Sequence, residues 1–410
     1  MAQPHRPVPL ILDVDTGIDD SLALLYACAS PEAEIVAVTC SAGNVDARQV
    51  AENTRAVLEL AGRRDVEVAL GREVPLFREL VTTPETHGPR GIGWAELPPS
   101  VMPLSPRRSP DLIVEEARRR PGEITLVTLA PLTNVAIAVL REPDLPRLLR
   151  RLVIMGGAYR VPGNTTPVSE WNVHVDPEAA RVVFSAWGRA VEAEVALGRD
   201  SALGRDSALG RDSAPGRDLA PGRDSAPGRG ETADTSDERT FAAEAQHVPR
   251  GSAGQAASRA LAIGLDVTEQ ARFLPAHLGA LADRAGASAS SLEARVRSGD
   301  APAPDNAVLR YLADALRFYM EFHATADRFY GAFIHDPFVV AAALDEALVS
   351  TEPVAVDVET GGAVAAGQTV ADWRHLWNRT PNADVAIDGD ADAFLQRLVD
   401  RVGTLAARQG

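Results

Sequence analysis

Along the first half of the chain, short apolar runs alternate with stretches whose apolar residues recur every three or four positions. The runs at 8–12, 35–39, 66–70, 124–129 and 152–155 predict buried strands. Between them, 20–29, 47–60, 110–120, 132–141 and 177–187 carry helical periodicity, with Pro110 and Pro177 placed as early helical residues. Strands that read as continuous apolar runs and are separated by helices predict an α/β fold, a mainly parallel open sheet flanked by helices.

The rhythm breaks at about 197–230, where a six-residue unit recurs as GRDSAL, GRDSAL, GRDSAP, GRDLAP and GRDSAP. Arginine and aspartate alternate there, glycine and proline recur, and almost nothing is large and apolar. Such a segment cannot build a core and predicts disorder, which its flanks at 189–255 share. An apolar run at 260–267 then resumes as the next core strand. The pattern therefore predicts one domain over 1–410 with an insertion at about 190–258, in preference to two domains and a linker. The C-terminal portion is more helical, with 305–329 and 337–348 as its longest pieces and a strand at 354–358.

Composition narrows the chemistry. With 410 residues, 45% of them hydrophobic, the chain can bury a large core. A net charge of −16 repels nucleic-acid backbones and anionic membranes, leaving a small-molecule partner as the expectation. All 41 basic residues are arginine, which excludes Schiff-base catalysis and a phosphate loop ending in Gly-Lys. Cys28 and Cys40 are too few for a disulfide framework and lack zinc spacing, so they read as buried thiols. No signal peptide or membrane span is visible, and the expected location is cytoplasmic.

The chemistry concentrates where the first strand runs into a glycine turn and a helix, Ile11-Leu12-Asp13-Val14-Asp15-Thr16-Gly17-Ile18-Asp19-Asp20. Asp19 as an N-cap explains one carboxylate. Several acids at the end of a parallel strand repel one another unless a cation binds, and all-oxygen ligation suits Ca²⁺ or Mg²⁺ better than zinc. Two enzyme classes begin in this way. One is the haloacid-dehalogenase-like phosphatases, in which Asp13 would be the nucleophile and a basic residue, commonly lysine, holds the phosphate. The other is a metal-dependent hydrolase of nucleosides.

The pattern Asp-x-Asp-x-Gly-x-Asp-Asp resembles the signature of the inosine-uridine-type nucleoside hydrolases. Further blocks follow in that family's order: Gly43-Asn44, Leu132-Thr133-Asn134, Met155-Gly156-Gly157, GNTTPVSEWN at 163–172, DPEAA at 176–180, LDVT at 265–268, and His335-Asp336-Pro337. The resemblance covers nearly the whole chain outside the repeat. It departs at Thr16, Ser21 and Trp171, where proline, alanine and phenylalanine are frequent. It implies a Rossmann-like core and calcium-dependent hydrolysis of the N-glycosidic bond of purine or pyrimidine ribonucleosides, by a homo-oligomer (dimer or tetramer) active in nucleoside salvage.

By the same resemblance Ca²⁺ is held by Asp15, Asp20, the Leu129 carbonyl and Asp336, and Asp15 also acts as general base toward a metal-activated water. Asp19, Asn44, Asn164, Glu170 and Asn172 match ribose-binding positions. His335 matches a position beside the leaving base, where an imidazole titrating near neutrality could donate a proton, and His87 matches a second histidine near the base. A packed core histidine and a surface-loop histidine are the plainer readings of these two. Trp94, Tyr159, Trp171, Phe333 and Phe338 are candidates to stack on the base or to fill the core. A non-catalytic nucleoside or sugar sensor is the remaining alternative.

Overall fold

The computed structural model describes residues 6–206 and 256–409. Its strands in chain order are β1 (Val8–Val14), β2 (Ala33–Cys40), β3 (Glu67–Leu70), β4 (Thr125–Thr128), β5 (Arg151–Met155), β6 (Ala260–Ile263), β7 (Arg272–Phe273), β8 (Ala332–Phe333), β9 (Val349–Val354), β10 (Val356–Val358), β11 (Thr369–Ala371) and β12 (Ala383–Gly389). Eight of them form one sheet in the order β3-β2-β1-β4-β5-β6-β12-β9, and β10-β11 and β7-β8 form two small pairs. Every pairing in the large sheet is parallel except β12 with β9. The α/β expectation holds.

The strand order reverses beside β1, since β2 and β3 lie on one side and β4 on the other. Such a switch point opens a crevice at the carboxyl ends of its two strands. The register places those ends level, with Asp13 opposite Thr128, and the Leu129 N–H donates to the Asp13 carbonyl at 2.7 Å.

Alternation along β1 splits the core between the two faces of the sheet. Leu10, Leu12 and Val14 join the helices Ile18–Ala29, Ala307–Ala326, His335–Leu344 and Ala391–Gln409 on one face. Ile11 joins Ser109–Arg119 and Thr133–Arg141 on the other. In the first layer Phe394 is fully buried, edge-on to Phe338 at 5.1 Å and to Tyr26 at 6.1 Å. We expect Phe394→Ala to cost about 3–5 kcal/mol of unfolding free energy in urea titrations. A loss of less than about 1 kcal/mol would mean that this layer does not hold the sheet.

Several elements differ from the sequence pattern. The helix expected at 177–187 runs Pro177–Asp206, past residue 190, with Ala190 and Val191 buried and Glu194 bridging to Arg147 at 2.8 Å. The first repeat units carry leucine where later ones, from Pro215 on, carry proline, which favours helix in the first units. The remainder of the repeat, with its expected disorder, lies outside the described residues. The chain divides into Met1–Glu194 with Gly254–Gly410, which contains the sheet, and Val195–Ala253.

The strand expected at 260–267 stops at Ile263, and Leu265–Thr268 is a helical turn. Gly264 packs so closely on the Gly157 carbonyl that a Cβ there would stand 2.5 Å from it. Asp266 turns back to accept from the Tyr159 and Arg160 amides at 2.9 and 2.7 Å. The run at 354–358 is two strands in two sheets, because Ala355 between them passes the chain from β9 to β10. Strand β12 and the helix Ala391–Gln409 were not among the expected elements. The expected long helix at 337–348 closes as an α-helix at Leu344, followed by a 3₁₀ turn.

Candidate active site

Strand β1 ends at Val14, so Asp15, Thr16 and Gly17 form the turn into the helix Ile18–Ala29. Asp20 folds back over that turn, its Oδ1 accepting from the Asp15 amide at 3.2 Å and its Oδ2 from the Gly17 amide at 2.8 Å. Asn44, beyond the end of β2, donates its backbone N–H to Asp15 Oδ2 at 2.8 Å and its side-chain amide to Asp20 Oδ2 at 3.3 Å. His87 accepts from the Ile18 amide on Nδ1 at 3.1 Å, which leaves the neutral ring's proton on Nε2. Two glycines permit this crowding. A Cβ on Gly17 would lie 2.7 Å from both Asn44 Nδ2 and His87 Nδ1, and one on Gly43 only 2.1 Å from Asp15 Oδ2.

Gly43→Ala therefore displaces Asp15. Since a misplacement of about 1 Å can cost roughly a hundredfold in rate, we expect at least that loss in kcat with the circular dichroism spectrum retained. A loss of less than about fivefold would show that Asp15 need not sit where it does.

Asp336, at the start of the helix His335–Leu344, completes the acidic group: Asp19, Asp20 and Asp336 place carboxylate oxygens within 4.8 Å of one another, all buried. Burial first and mutual repulsion second push Asp15 and Asp19 up, Asp19 to about 8. Asp336 is raised by burial and by Asp19, Asp20 and Asp15 in turn. Asp20 rises only to about 6, because the turn amides that it caps oppose the effect of burial.

Four buried carboxylates with no basic partner among the described residues fit a hard divalent cation, which offsets both their desolvation and their repulsion. The Leu129 carbonyl, at the end of β4, lies in the same crevice and accepts from Asn172 Nδ2 at 2.8 Å. The expected ligand set and the three nearest carboxylates differ in one member, Asp19 for Asp15.

Asp13 does not reach this space. It is fully buried beneath the site, its Oδ1 accepting from Thr39 Oγ1 at 2.6 Å and Asn134 Nδ2 at 2.9 Å, with Oδ2 unpartnered. Burial pushes its carboxyl up to about 7. A nucleophile must touch its substrate, so the phosphatase reading loses its key residue.

Above the acids opens a cavity of about 460 Å³, lined by Asp15, Asp19, Asn44, His87 and Leu129 from the β1–β4 side. Asn164, Glu170 and Asn172 enter from the segment after β5, and His335 and Asp336 from the C-terminal portion. Asp20 supports the floor without lining it. Asn44 Oδ1 is buried here without a hydrogen-bond partner among the described residues.

Glu170 is more committed to the fold than its expected ribose role implies. It caps the helix Trp171–Val175, accepting from Asn172 and Val173 at 2.8 and 3.1 Å, and also from the Gly157 amide at 2.9 Å. Asn164 is exposed at the rim, and its Oδ1 accepts from the Trp171 amide at 3.0 Å.

His335 departs from expectation in protonation, and His87 departs from the surface-loop reading in burial. His87 is buried, and burial lowers it to about 3. His335, hydrogen-bonded through Nδ1 to Thr268 Oγ1 at 2.8 Å, is likewise lowered to about 3, which does not fit donation of a ring proton at neutral pH. Among the aromatic candidates Trp171 and Phe333 line the cavity, Tyr159 and Phe338 are core, and Trp94 is exposed beside Phe318. The sequence reading missed Tyr319, His323 and Asp327, from the helix Ala307–Ala326 and its C-cap, and Glu269. Their spacing of four residues was the available signal.

The chain is similar to known proteins over most of its length. The family model for "inosine-uridine preferring nucleoside hydrolase" matches residues 10–215 and 244–396. The chain belongs to that family and is a hydrolase acting on N-glycosyl bonds. It is 31% identical over 397 residues to the pyrimidine-specific ribonucleoside hydrolase RihA of Salmonella gallinarum, covering 96% of this chain and 98% of the relative. The corresponding protein of an Enterobacter species is 30% identical over 402 residues, covering 98% and 99%. Among solved structures, the purine-preferring ribonucleoside hydrolase from Gardnerella vaginalis superimposes with a TM-score of 0.72 at 25% identity, covering 98% of this chain and 99% of that one. The plant nucleoside hydrolase PpNRh1 gives 0.70 at 26% identity, covering 97% and 99%.

Proposed function

We propose that the protein is a calcium-dependent hydrolase of ribonucleosides, releasing free base and ribose, with pyrimidine nucleosides foremost because the curated relatives are pyrimidine-specific. The observation that carries this reading is the meeting of Asp15, Asp19, Asp20 and Asp336 at the β1–β4 switch point, under a cavity large enough for a nucleoside. Asp15, Asp20, Asp336 and the Leu129 carbonyl would hold the cation, with Asp19 close enough to join them. A bound divalent cation supplies Lewis acidity toward a water and fixes the ribose hydroxyls.

The chain's own residues do the rest. Asp15, whose Oδ2 is oriented by the Asn44 amide, accepts a proton from the attacking water. Asn44 Oδ1, a buried acceptor without a partner, takes a hydroxyl hydrogen from the sugar. Asp19, Asn164 and Asn172 supply further polar contacts to the ribose, and Glu170 holds their loop against the end of β5. The sheet-bearing unit is one catalytic domain interrupted by the low-complexity insertion, and the family model skips 216–243.

Reducing sugar released from uridine, cytidine, inosine and adenosine, with calcium present, tests the activity. Turnover of uridine or cytidine is expected. Release from none of the four would sink the reading, and tight binding without release would favour the sensor instead.

A further inference from the structure

The helix Ala307–Ala326 climbs one wall of the cavity from floor to mouth. Tyr319 stands beside the acids, its phenol pushed up by burial and then by Asp19 and Asp336. His323 lines the wall one turn further on, about 6 Å along the helix axis, and Asp327 at the C-cap is exposed. The Asp327 backbone N–H donates to the His323 carbonyl at 2.8 Å, and Asp327 Oδ2 meets His323 Nδ1 at 2.7 Å.

A carboxylate only accepts, so the proton of the neutral ring sits on Nδ1 and Nε2 keeps a bare lone pair. Burial, working against the pull of Asp327, holds the imidazole below its ordinary value and keeps it neutral at neutral pH. His323 Nε2 is buried with no hydrogen-bond partner among the described residues. The rings of Phe322, Phe329 and Phe333, centred 5.2, 5.7 and 5.1 Å away, have no donor to give, and Tyr319 at 4.6 Å does not bond to it. A buried acceptor left bare is unfavourable, and a ligand that brings a donor to it relieves that penalty.

We propose that His323 is a specificity-determining residue that selects a base presenting an exocyclic amino group, and so favours cytidine over uridine. The inference rests on the nucleoside-hydrolase reading. With the ribose over the acids, a pyrimidine projects along this wall, and its C4 substituent lies farthest from the glycosidic nitrogen. In cytosine that substituent is an amino group, which donates to Nε2. In uracil it is a carbonyl oxygen, which sets lone pair against lone pair. Asp327 is the positioning residue: were Nε2 to become the donor, Nδ1 would face the carboxylate without a proton.

The test measures kcat/KM for cytidine and uridine with the calcium-loaded full chain, in the parent, Asp327→Asn and His323→Gln, alongside thermal denaturation of each. The bases differ as leaving groups, but that difference is common to parent and variants and cancels when their cytidine-to-uridine ratios are compared. An Asn amide can donate to Nδ1, which moves the ring proton to Nε2 and suits uridine, and a Gln amide can present either its oxygen or its N–H. We expect each substitution to lower the ratio by about tenfold or more. Free cytosine is expected to inhibit the parent about fivefold or more tightly than free uracil, a measurement that needs no variant. A ratio that moves by less than about twofold in both variants, or uracil inhibiting as tightly as cytosine, would overturn the proposal, while ribose release itself would leave the nucleoside-hydrolase reading intact. Release from neither pyrimidine nucleoside, nor from inosine or adenosine, would overturn both.

Discussion

Asp15→Asn is expected to lower kcat on a ribonucleoside by at least about a thousandfold while leaving the fold intact. Loss of a positioned base alone removes roughly 10²–10⁴ in rate, and this substitution also takes one charge from the cation site. The amide is the same size as the carboxylate and can keep the hydrogen bond from the Asn44 backbone N–H. Removing a buried charge raised by burial, Asp20 and Asp19 relieves repulsion, so thermal stability in chelator is expected to equal or exceed that of the parent. Ribose release and thermal denaturation on the same preparation give both answers. Activity within tenfold of the parent would remove Asp15 from the mechanism. Inactivity with a large fall in melting temperature would make it a structural residue.

The aspartate group was legible because Asp15, Asp19 and Asp20 are near neighbours along the chain and a strand-to-helix turn fixes where they point. Asp336 and Asn172 could be attached to it only through family blocks, since nothing in local periodicity links the end of β1 to the helix His335–Leu344. The parallel sheet was legible up to β6, where apolar runs are uninterrupted. Strand β12 was not, because ADVAIDG mixes aspartate and alanine with its apolar residues and alternates too weakly to stand out.

Tyr319 and His323 were missed for a related reason. The helix Ala307–Ala326 buries most of its length, and the same spacing of four serves core packing and a cavity wall equally well. His335 and Glu170 show a different limit. Their positions at the cavity were foreseen, but their protonation and hydrogen-bond commitments depend on burial and on backbone amides that only the folded chain brings near.

Stripping divalent cations is expected to make the protein markedly less stable at alkaline than at mildly acidic pH, and added calcium to remove most of that difference. Asp20, Asp13 and Asp19 have carboxyl groups pushed up to about 6, 7 and 8 from an ordinary value of 3.8. Asp15 and Asp336 are raised as well. The folded chain therefore holds protons that the unfolded chain releases near pH 4, so stability is greatest below that pH as far as these groups go. It is lost as pH rises through their folded values. Between pH 5.5 and 8.5 the chelated protein should lose several degrees of melting temperature. A cation competes with those protons, so its stabilisation grows across the same window. Calcium at 100 times its dissociation constant adds about 2.7 kcal/mol, which corresponds to several degrees for a domain of this size. Asp336→Asn, with one fewer buried carboxylate, is expected to flatten the pH dependence in chelator and to abolish most of the response to calcium. Denaturation scans of both proteins at the two pH values, with calcium and with chelator, decide the matter. A chelated parent that melts higher at pH 8.5 than at 5.5, or a calcium shift equal at both, would mean that the aspartates do not meet as a cation site.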